Sequence, residues 1–462
     1  MNLTGFLAFI FILGAAVVLH EFGHFIVAKL LGIRVETFSV GFGKRIWGRR
    51  WGHTDYRLSL IPLGGYVKLG GDESNAGIEE GAGEAEEIPA AERFDLRPRW
   101  QKFLVGVAGP VMNILTALAI PFAAALVYGI PSSPSPVVGF VAPGGAAQVA
   151  GLQPGDRIVS FNGRENPSWR FINGEAGVNY AAQMPVVVDR DGQRVELKLQ
   201  PTVREQAIGG KYGDVDLEPD LGVEAVTVAN VIEGSPAAES GLRPGDQIVQ
   251  IGEEKARSTQ QVRQYIRQHP QGSLRLVVNR AGQRVELQTP ERRGEGGTLG
   301  FNFTSPPLEP VGLAAAAGHA VEVNVEVLRL TGVALGQVFS GQRGIGETIS
   351  GPIEIAQVSS EAANNMGWEG VFNILAFLSL NLGIFNLLPI PVLDGGMLFM
   401  LIVEGLLAVV GVKLSMTVRE RIQQVGFVFL LLLMGFVIIN DVTKVASRWR
   451  GSQNPPAATE TK

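Results

Sequence analysis

Four long apolar stretches restrict the folds open to this chain more than any other feature of its sequence. They cover residues 3–31, 103–128, 371–410 and 425–440, and prolines interrupt the third. A helix of about 20 apolar residues crosses the hydrocarbon core of a bilayer, and a chain in lipid must pair its backbone polar groups internally. Only 18% of the 462 residues are charged, and the mean hydropathy is positive. We therefore expect a multi-pass α-helical membrane protein with about four transmembrane helices.

The distribution of basic residues predicts the orientation of these helices, because Lys and Arg collect at the cytoplasmic ends of membrane spans. They follow the first span and precede the last, at Arg34, Lys44, Arg45, Arg49, Arg50 and Arg57 and at Lys413, Arg419 and Arg421. The region 130–370 is then expected on the extracytoplasmic face. Lys444, Arg448 and Arg450 run against this rule, since they follow the last span on the predicted outer side.

An internal repeat lies between the second and third apolar stretches. Residues 151–159 (GLQPGDRIV) recur at 241–249 as GLRPGDQIV, and residues 192–197 (GQRVEL) recur unchanged at 282–287. Both matches have the same offset of 90 residues, which indicates two copies of one module. Each Pro-Gly-Asp is typical of a tight turn before a strand, so the module is expected to be mostly β.

The repeated segments resemble the PDZ domain in its bacterial, circularly permuted form, with copies over 137–201 and 219–290. The resemblance implies that a loop and the following strand bind an extended peptide, often at its C-terminus, by strand addition. By position, Leu221, Gly222 and Val223 form that loop in the second copy, and Val138, Gly139 and Phe140 form it in the first. The alternative is that these residues are buried strand residues with no role in binding a ligand.

A metal-binding pattern lies inside the first apolar stretch, where residues 20–24 read HEFGH. His20 and His24 are four residues apart, so on a helix they share one face and can bind one ion. Glu21 would then lie beside the metal, where it can take a proton from bound water. The alternative, two hydrogen-bonded histidines and a structural glutamate, is disfavoured because ionisable groups within a span are costly.

A catalytic zinc has three protein ligands and one open position. The chain contains no cysteine, so the third ligand must be His or a carboxylate. His53 lies in a basic loop and His319 in the predicted soluble part. Asp394 is the better candidate, because it lies in the third apolar stretch just after Pro389 and Pro391, which break the helix. The alternative is a helix kink with a capping aspartate.

These features together resemble the site-2 protease family of intramembrane zinc metalloproteases, in its bacterial form. The resemblance rests on the HEFGH pattern, on the segment from Asn386 to Gly395, and on PDZ-like repeats between the second and third spans. It implies zinc bound by His20, His24 and Asp394, with Glu21 as general base. It also implies a place in the bacterial cytoplasmic (inner) membrane and single-pass membrane proteins as substrates, such as anti-sigma factors and remnant signal peptides.

A helical substrate must unwind before its peptide bonds can be attacked, so a surface is needed to hold the unwound strand. Residues 56–61 and 65–69 flank a Pro-Leu-Gly turn and predict a membrane-associated β-hairpin whose edge pairs with substrate. The predicted substrate-binding residues are Gly65, Tyr66, Asn386, Pro389 and Pro391, with Leu221, Gly222 and Val223 in the second repeat. Asn113 is interpreted as a bridge between helices.

The predicted organisation follows from these assignments. In chain order it comprises a first transmembrane helix (1–33), a cytoplasmic loop with the hairpin and an acidic segment (34–100), a second transmembrane helix (101–130), the repeats (137–201 and 219–290), a connecting amphipathic segment (305–370), a broken transmembrane region (371–410) and a last transmembrane helix (425–445).

Two other classes of function compete with the protease hypothesis. A non-catalytic PDZ scaffold or channel-like protein would not need the carboxylate of Asp394. A zinc protease that acts on soluble peptides would need its His pair on an aqueous helix, which residues 3–31 do not offer. The expected partners are membrane-protein substrates, peptide C-termini and the lipid bilayer. Nucleic acid is not expected, because the net charge is -5 and no basic stripe with aromatic residues occurs.

Overall fold

The computed structural model describes residues 3–72, 88–131, 134–205, 211–222, 226–291, 298–303, 308–348, 350–411 and 415–453. The chain divides into two compact units. The first comprises Met1–Leu126, Gly312–Leu328 and Gly344–Lys462, and the second comprises Val127–Val311 and Arg329–Arg343. Most of the predicted acidic segment, at 73–87, lies outside the described residues.

Helices dominate the first unit and strands dominate the second. The helices are α1 (Leu3–Leu30), α2 (Arg99–Tyr128), α3 (Ala146–Val149), α4 (Trp169–Val178), α5 (Pro236–Glu239), α6 (Thr259–Gln268), α7 (Leu313–Phe339), α8 (Ile345–Thr348), α9 (Pro352–Asn386), α10 (Asp394–Val409) and α11 (Met416–Gln453). The strands are β1 (Val35–Trp51), β2 (Thr54–Leu69), β3 (Ile130–Pro131), β4 (Val138–Val141), β5 (Arg157–Phe161), β6 (Arg164–Glu165), β7 (Met184–Arg190), β8 (Gln193–Leu199), β9 (Thr202–Glu205), β10 (Lys211–Asp214), β11 (Leu217–Pro219), β12 (Val226–Val231), β13 (Gln247–Ile251), β14 (Glu254–Lys255), β15 (Arg275–Arg280), β16 (Gln283–Gln288), β17 (Phe301–Phe303) and β18 (Leu308–Glu309).

Among the described residues, four helices are long and apolar enough to cross a bilayer. They are Leu3–Leu30, Arg99–Tyr128, Pro352–Asn386 and Thr417–Val445. The third begins at Pro352, earlier than the predicted 371, and bends at Gly367, where φ is 61° and ψ is -140°. The predicted connecting segment 305–370 therefore already contains α7, α8 and the first part of α9.

The start of α9 shows how the first unit satisfies a buried helix end. The first amides of a helix have no partner within the helix. The carboxylate of Asp441, on α11, accepts hydrogen bonds from the amides of Gly351, Ile353 and Glu354 at 3.0, 3.0 and 3.2 Å. Asp441 is 1% exposed, so this carboxylate anchors α9 to α11.

Small residues allow the helices of the first unit to approach one another closely. A Cβ atom on Gly23 of α1 would lie 2.2 Å from the carbonyl oxygen of Ala108 on α2. A Cβ atom on Gly383 of α9 would lie 2.9 Å from the carbonyl oxygen of Pro110, also on α2. The helix α2 therefore packs closely against both α1 and α9.

The predicted hairpin of residues 56–61 with 65–69 is wrong. Residues 35–40 of β1 lie between the two segments, because Val40 pairs with both Gly65 and Leu58. The remainder of β1 turns back, and its residues 45–51 pair with residues 54–59. The two segments are neighbours in the sequence but not in the sheet. Residues 35–40 lie between them and alternate buried and half-buried positions as a sheet strand requires.

The second unit contains the two repeated modules, whose cores use the same positions. Val138, Ile158, Ile172, Val186 and Val188 are all fully buried in the first. The residues 90 positions later, Val228, Ile248, Val262, Leu276 and Val278, are fully buried in the second. Ser168 and Ser258, also 90 apart, cap the equivalent helices α4 and α6. The repeat in sequence is thus a repeat in packing.

Each module is completed by a strand beyond its predicted end. The strand β11 pairs with β4, and β17 pairs with β12. A first strand without such a partner would expose an open edge. The predicted ends at 201 and 290 are therefore too early. The predicted peptide-binding segment of the first copy is also wrong, because β4 pairs with β11 on one edge and its Val138 bonds with the backbone of Gly155 and Asp156 on the other.

An ion pair is repeated in the two modules. Asp156 accepts from Arg190 at 2.7 and 2.8 Å, and Asp246 accepts from Arg280 at 2.7 and 2.7 Å. Each arginine also donates to a backbone carbonyl, of Gly151 or Gly241. Both carboxylates are 1% exposed. The repeated Pro-Gly-Asp turn therefore holds a buried carboxylate that ties the turn to the strand that ends in the arginine, β7 or β15.

We expect Asp246→Asn to destabilise the second module by about 2–4 kcal/mol, because it leaves Arg280 without its buried partner. Burial raises the pKa of Asp246, but hydrogen bonds from Arg280 and from the Arg243 amide outweigh this and lower it below the ordinary value. The stabilisation is thus complete above about pH 4 and is lost as the pH falls below that value. Hydrogen exchange of the β13 and β15 amides in the full chain measures both effects.

Glu286→Gln is the matched control, because it removes an ion pair with Arg275 in the same module but at an exposed position. We expect no measurable change in amide protection for this variant. Equal loss of protection in Glu286→Gln and Asp246→Asn would contradict the structural role assigned to Asp246.

Candidate metal centre

The first helix brings three of the predicted site residues together. His20 and His24 lie one turn apart, and their Nε2 atoms are 3.2 Å from each other. His20 is 6% exposed, and the side chain of His24 is 12% exposed. The two imidazoles therefore converge on one point inside the first unit, with their Nε2 atoms facing each other.

Asp394, although far later in the sequence, lies beside the Nε2 atoms of His20 and His24. It is the first residue of α10, and its Oδ2 lies 2.9 Å from His20 Nε2 while its Oδ1 lies 3.5 Å from His24 Nε2. One ligand atom from each of the three side chains lies within 4.8 Å of the others. Among the described residues, this is the one group of three or more His, Cys, Asp or Glu side chains that could hold a metal ion.

A short loop, residues 387–393, sets the position of Asp394. It folds back over the first turn of α10, where a Cβ atom on Gly395 or Gly396 would lie 2.2 or 2.3 Å from the carbonyl oxygens of Leu388 and Ile390. Val392 has a φ of 83°, a left-handed conformation that costs a β-branched residue about 1–3 kcal/mol. The close approach of these carbonyl oxygens explains why both residues after Asp394 are glycine.

The spacing of the donors fits a zinc ion. Two nitrogens bound at about 2.0–2.1 Å to one tetrahedral zinc lie about 3.3 Å apart. The observed separation of the two Nε2 atoms is 3.2 Å. Two imidazoles and one carboxylate are a ligand set of catalytic zinc sites, in which the fourth position stays open. The side chain of Asp394 is 22% exposed, so the centre is not sealed.

The general-base candidate lies on the same helix and touches the sheet. Glu21 Oε2 accepts a hydrogen bond from the Val67 amide at 3.2 Å. Val67 belongs to the segment 65–69 of β2, whose other edge pairs with residues 35–40. A glycine, Gly64, precedes this segment with a φ of 146°, and a Cβ atom there would lie 2.5 Å from the Phe42 ring. The edge of this segment that faces away from residues 35–40 therefore lies next to Glu21.

The other predicted site residues fall into two groups. In the first unit, Asn386 is the last residue of α9, Pro389 and Pro391 lie in the loop before Asp394, and Gly65 and Tyr66 directly precede Val67. Tyr66 is 6% exposed and stacks on Phe42, so its ring is not presented to a substrate.

The predicted loop of the second repeat belongs to the second unit. The Leu221 amide donates to the Arg257 carbonyl, and the Gly222 amide donates to the Asp220 carboxylate. Val223 lies outside the described residues. His269 also lies in this unit, where its ring stacks on that of Tyr265.

Comparison with known proteins adds the family. A model of peptidase family M50 matches residues 8–433. The chain belongs to this family. A Vibrio cholerae protein named "Putative zinc metalloprotease" is 34% identical, over 96% of this chain and 99% of that protein. The regulator of sigma-E protease RseP of Escherichia coli K12 is 32% identical, over 95% and 98%, and that of Salmonella typhimurium is 31% identical over the same shares.

Membership of family M50, the site-2 proteases, confirms the predicted zinc metalloprotease. Together with four helices able to cross a bilayer, it identifies a multi-pass intramembrane zinc protease. In such an enzyme, zinc activates water and polarises the scissile carbonyl. A carboxylate beside it accepts the proton of that water. Glu21, which follows His20 on α1, is a candidate for the second role.

Sequence reasoning missed two contacts of the centre, both on elements that pack against α1. They are the Val67 amide at Glu21 and the Val105 carbonyl at His24. Both are backbone groups, which leave no signature in residue type. Asn113 bridges two helices as interpreted from the sequence, and its partner on α1 is His20.

Proposed function

We propose that this chain cleaves the transmembrane segments of single-pass membrane proteins, with zinc bound by His20, His24 and Asp394 and with Glu21 as general base. The observation that carries the proposal is the convergence of His20, His24 and Asp394, of which the two histidines lie on a helix apolar and long enough to span a bilayer. A centre on such a helix is reached more readily by a peptide bond within the membrane than by one in solution.

The edge of residues 65–69 is proposed to hold the unwound substrate strand. A backbone edge gives affinity without regard to side chains, which suits substrates of varied sequence. The edge lies next to Glu21, as the Val67–Glu21 hydrogen bond supports. Asn386, Pro389 and Pro391 are proposed to contact the same strand, because the loop that contains the two prolines leads directly into Asp394.

The chain is proposed to lie in the bacterial inner membrane with its repeats on the extracytoplasmic side. The basic residues after the first span support this orientation. Anti-sigma factors already trimmed outside, and remnant signal peptides, are the proposed substrates. Two relatives carry the name "Regulator of sigma-E protease RseP", which supports this class.

The decisive experiment uses the purified chain in liposomes with a single-pass substrate that carries a short outer segment. We expect a zinc-dependent cut within the substrate helix, located by mass spectrometry, that a chelator stops and added zinc restores. A matched substrate with an all-leucine helix should be cut more slowly, because it unwinds less readily. Cleavage of soluble peptides alone would reject the proposal.

The repeats are proposed to be PDZ domains that admit only trimmed substrates or capture their new C-termini. Removal of residues 137–303, up to the strand that closes the second module, separates these roles. Cleavage of untrimmed substrates by the shortened chain would support a filter. Loss of cleavage of trimmed substrates would support capture of peptide ends by the repeats, including the loop at Leu221, Gly222 and Val223.

A further inference from the structure

The second transmembrane helix contributes one face to the metal centre. Val105, Gly109 and Asn113 are spaced four residues apart and so lie on one face of α2. Val105 and Asn113 contact the imidazoles of His24 and His20, and Gly109 lies between these contacts. We propose that this face, here called the orienting face, fixes both imidazoles with Nε2 free for zinc and keeps open the space that the ion needs.

The contact of His24 fixes its tautomer. Its Nδ1 lies 2.7 Å from the carbonyl oxygen of Val105. A carbonyl oxygen only accepts hydrogen bonds, so Nδ1 must carry the proton. In the neutral ring the lone pair is then on Nε2, the atom that faces His20 and Asp394. The backbone of α2 therefore sets this imidazole for metal binding.

The contact of His20 is made by a side chain. Asn113 is 0% exposed, and its amide group lies 3.2 Å from His20 Nδ1. The Oδ1 atom of Asn113 has no hydrogen-bond partner among the described residues. A buried carbonyl oxygen without a partner is costly. A half turn of the amide, which exchanges its oxygen and nitrogen, lets Oδ1 accept from Nδ1–H of His20.

Only this orientation of the amide is compatible with the ligand set. If the amide donated to Nδ1, the proton of the neutral ring would be on Nε2 and would point at Asp394, 2.9 Å away. If the amide accepts from Nδ1–H, the lone pair is on Nε2. Hydrogen bonds of this kind to a zinc-bound histidine fix its tautomer and raise its basicity. Asn113 is thus a positioning residue.

Gly109 acts by the absence of a side chain. A Cβ atom there would lie 2.3 Å from His24 Nε2 and 2.8 Å from His20 Nε2. Both distances are shorter than a carbon–nitrogen contact allows, and the methyl group would occupy the space between the two ligand atoms. Glycine at this position therefore leaves space for the ion between the two imidazoles.

The test of Asn113 compares Asn113→Leu with Asn113→Asp in the full-length protein, by competition with a chelator for zinc. We expect Asn113→Leu to bind zinc about 10–100-fold more weakly, as for other lost partners of metal-binding histidines. Asn113→Asp keeps an acceptor and should restore affinity to within a few fold. If Asn113 served only to pack the helices, Asn113→Asp would bind zinc no more tightly than Asn113→Leu, because a buried carboxylate packs less well between helices.

Asn324→Leu is the matched control. Asn324 is also a buried asparagine against α2, where it donates to the Ala117 carbonyl, but it does not touch either imidazole. We expect this variant to keep its zinc affinity. Unchanged affinity in Asn113→Leu, or equal loss in Asn324→Leu, overturns the role of Asn113.

Gly109→Ala tests the space for the ion. We expect it to lose zinc while the zinc-free protein stays folded, with an unfolding temperature lowered by the overlap with the imidazoles. Gly405→Ala on α10, where a Cβ meets no atom within 4 Å, should keep zinc. Full zinc content in Gly109→Ala overturns this part of the proposal.

The inference rests on the proposed ligand set, and His20→Ala tests that set separately. Retention of zinc by His20→Ala would overturn the ligand set and the orienting face with it. Loss of zinc in His20→Ala with unchanged affinity in Asn113→Leu would overturn the orienting role alone.

Discussion

Replacement of Glu21 by Gln is expected to abolish cleavage of a membrane substrate while leaving the zinc content unchanged. The side chain keeps its size, and its carbonyl oxygen can still accept from the Val67 amide, which lies 3.2 Å from Glu21 Oε2. The amide cannot accept a proton from water, so the rate should fall by about 10²–10⁴-fold. Zinc is measured by elemental analysis, and cleavage is measured in liposomes.

Glu36→Gln serves as the control for this substitution. Glu36 pairs with Lys68 at 3.0 Å in the same sheet but lies outside the metal centre. Its cleavage rate should stay within about twofold of that of the unaltered chain, because half-exposed ion pairs contribute little. Undiminished cleavage by Glu21→Gln would end the assignment of Glu21 as the base.

Asp394→Ala is expected to lose both zinc and activity. Only His20 and His24 would remain, one ligand short of the three that a catalytic zinc site provides. The zinc content should fall from about one per chain to nearly none after dialysis against a weak chelator. Elemental analysis before and after dialysis measures the loss.

Asp441→Ala separates the loss of a ligand from the loss of a buried carboxylate. Asp441 caps α9 through three backbone amides and lies in the same unit. We expect Asp441→Ala to lower the unfolding temperature and to keep zinc. If Asp394→Ala behaved in the same way, with full zinc after dialysis, Asp394 would not be a ligand.

The residues proposed to bind zinc were predictable because each breaks a local rule of its surroundings. His20, His24 and Asp394 are polar groups within apolar stretches, where they are costly unless they serve a function. The prolines at 389 and 391 marked the break that brings Asp394 to the start of a helix. The repeat was equally visible, since its buried positions recur 90 residues apart.

The remaining features depend on contacts between distant segments. Residues 35–40 insert between 55–58 and 65–69, and no local propensity of these strands specifies which neighbour each one takes. The closing strands β11 and β17 follow their modules by a variable distance, so the sequence match ends before they do. The roles of Val105 and Val67 are carried by backbone atoms, which every residue type supplies except that proline has no amide hydrogen for position 67.

The hydrogen bond between Val67 and Glu21 makes strand alignment a requirement of catalysis. Along a strand, successive amides point to opposite edges. An insertion or deletion of one residue between 54 and 66 that shifted the register of residues 65–69 would place at this position an amide that points toward residues 35–40 instead of Glu21. The left-handed glycine at 64, packed beneath the Phe42 ring, fixes where that alignment begins. The length of the segment before Val67 is therefore constrained independently of its composition.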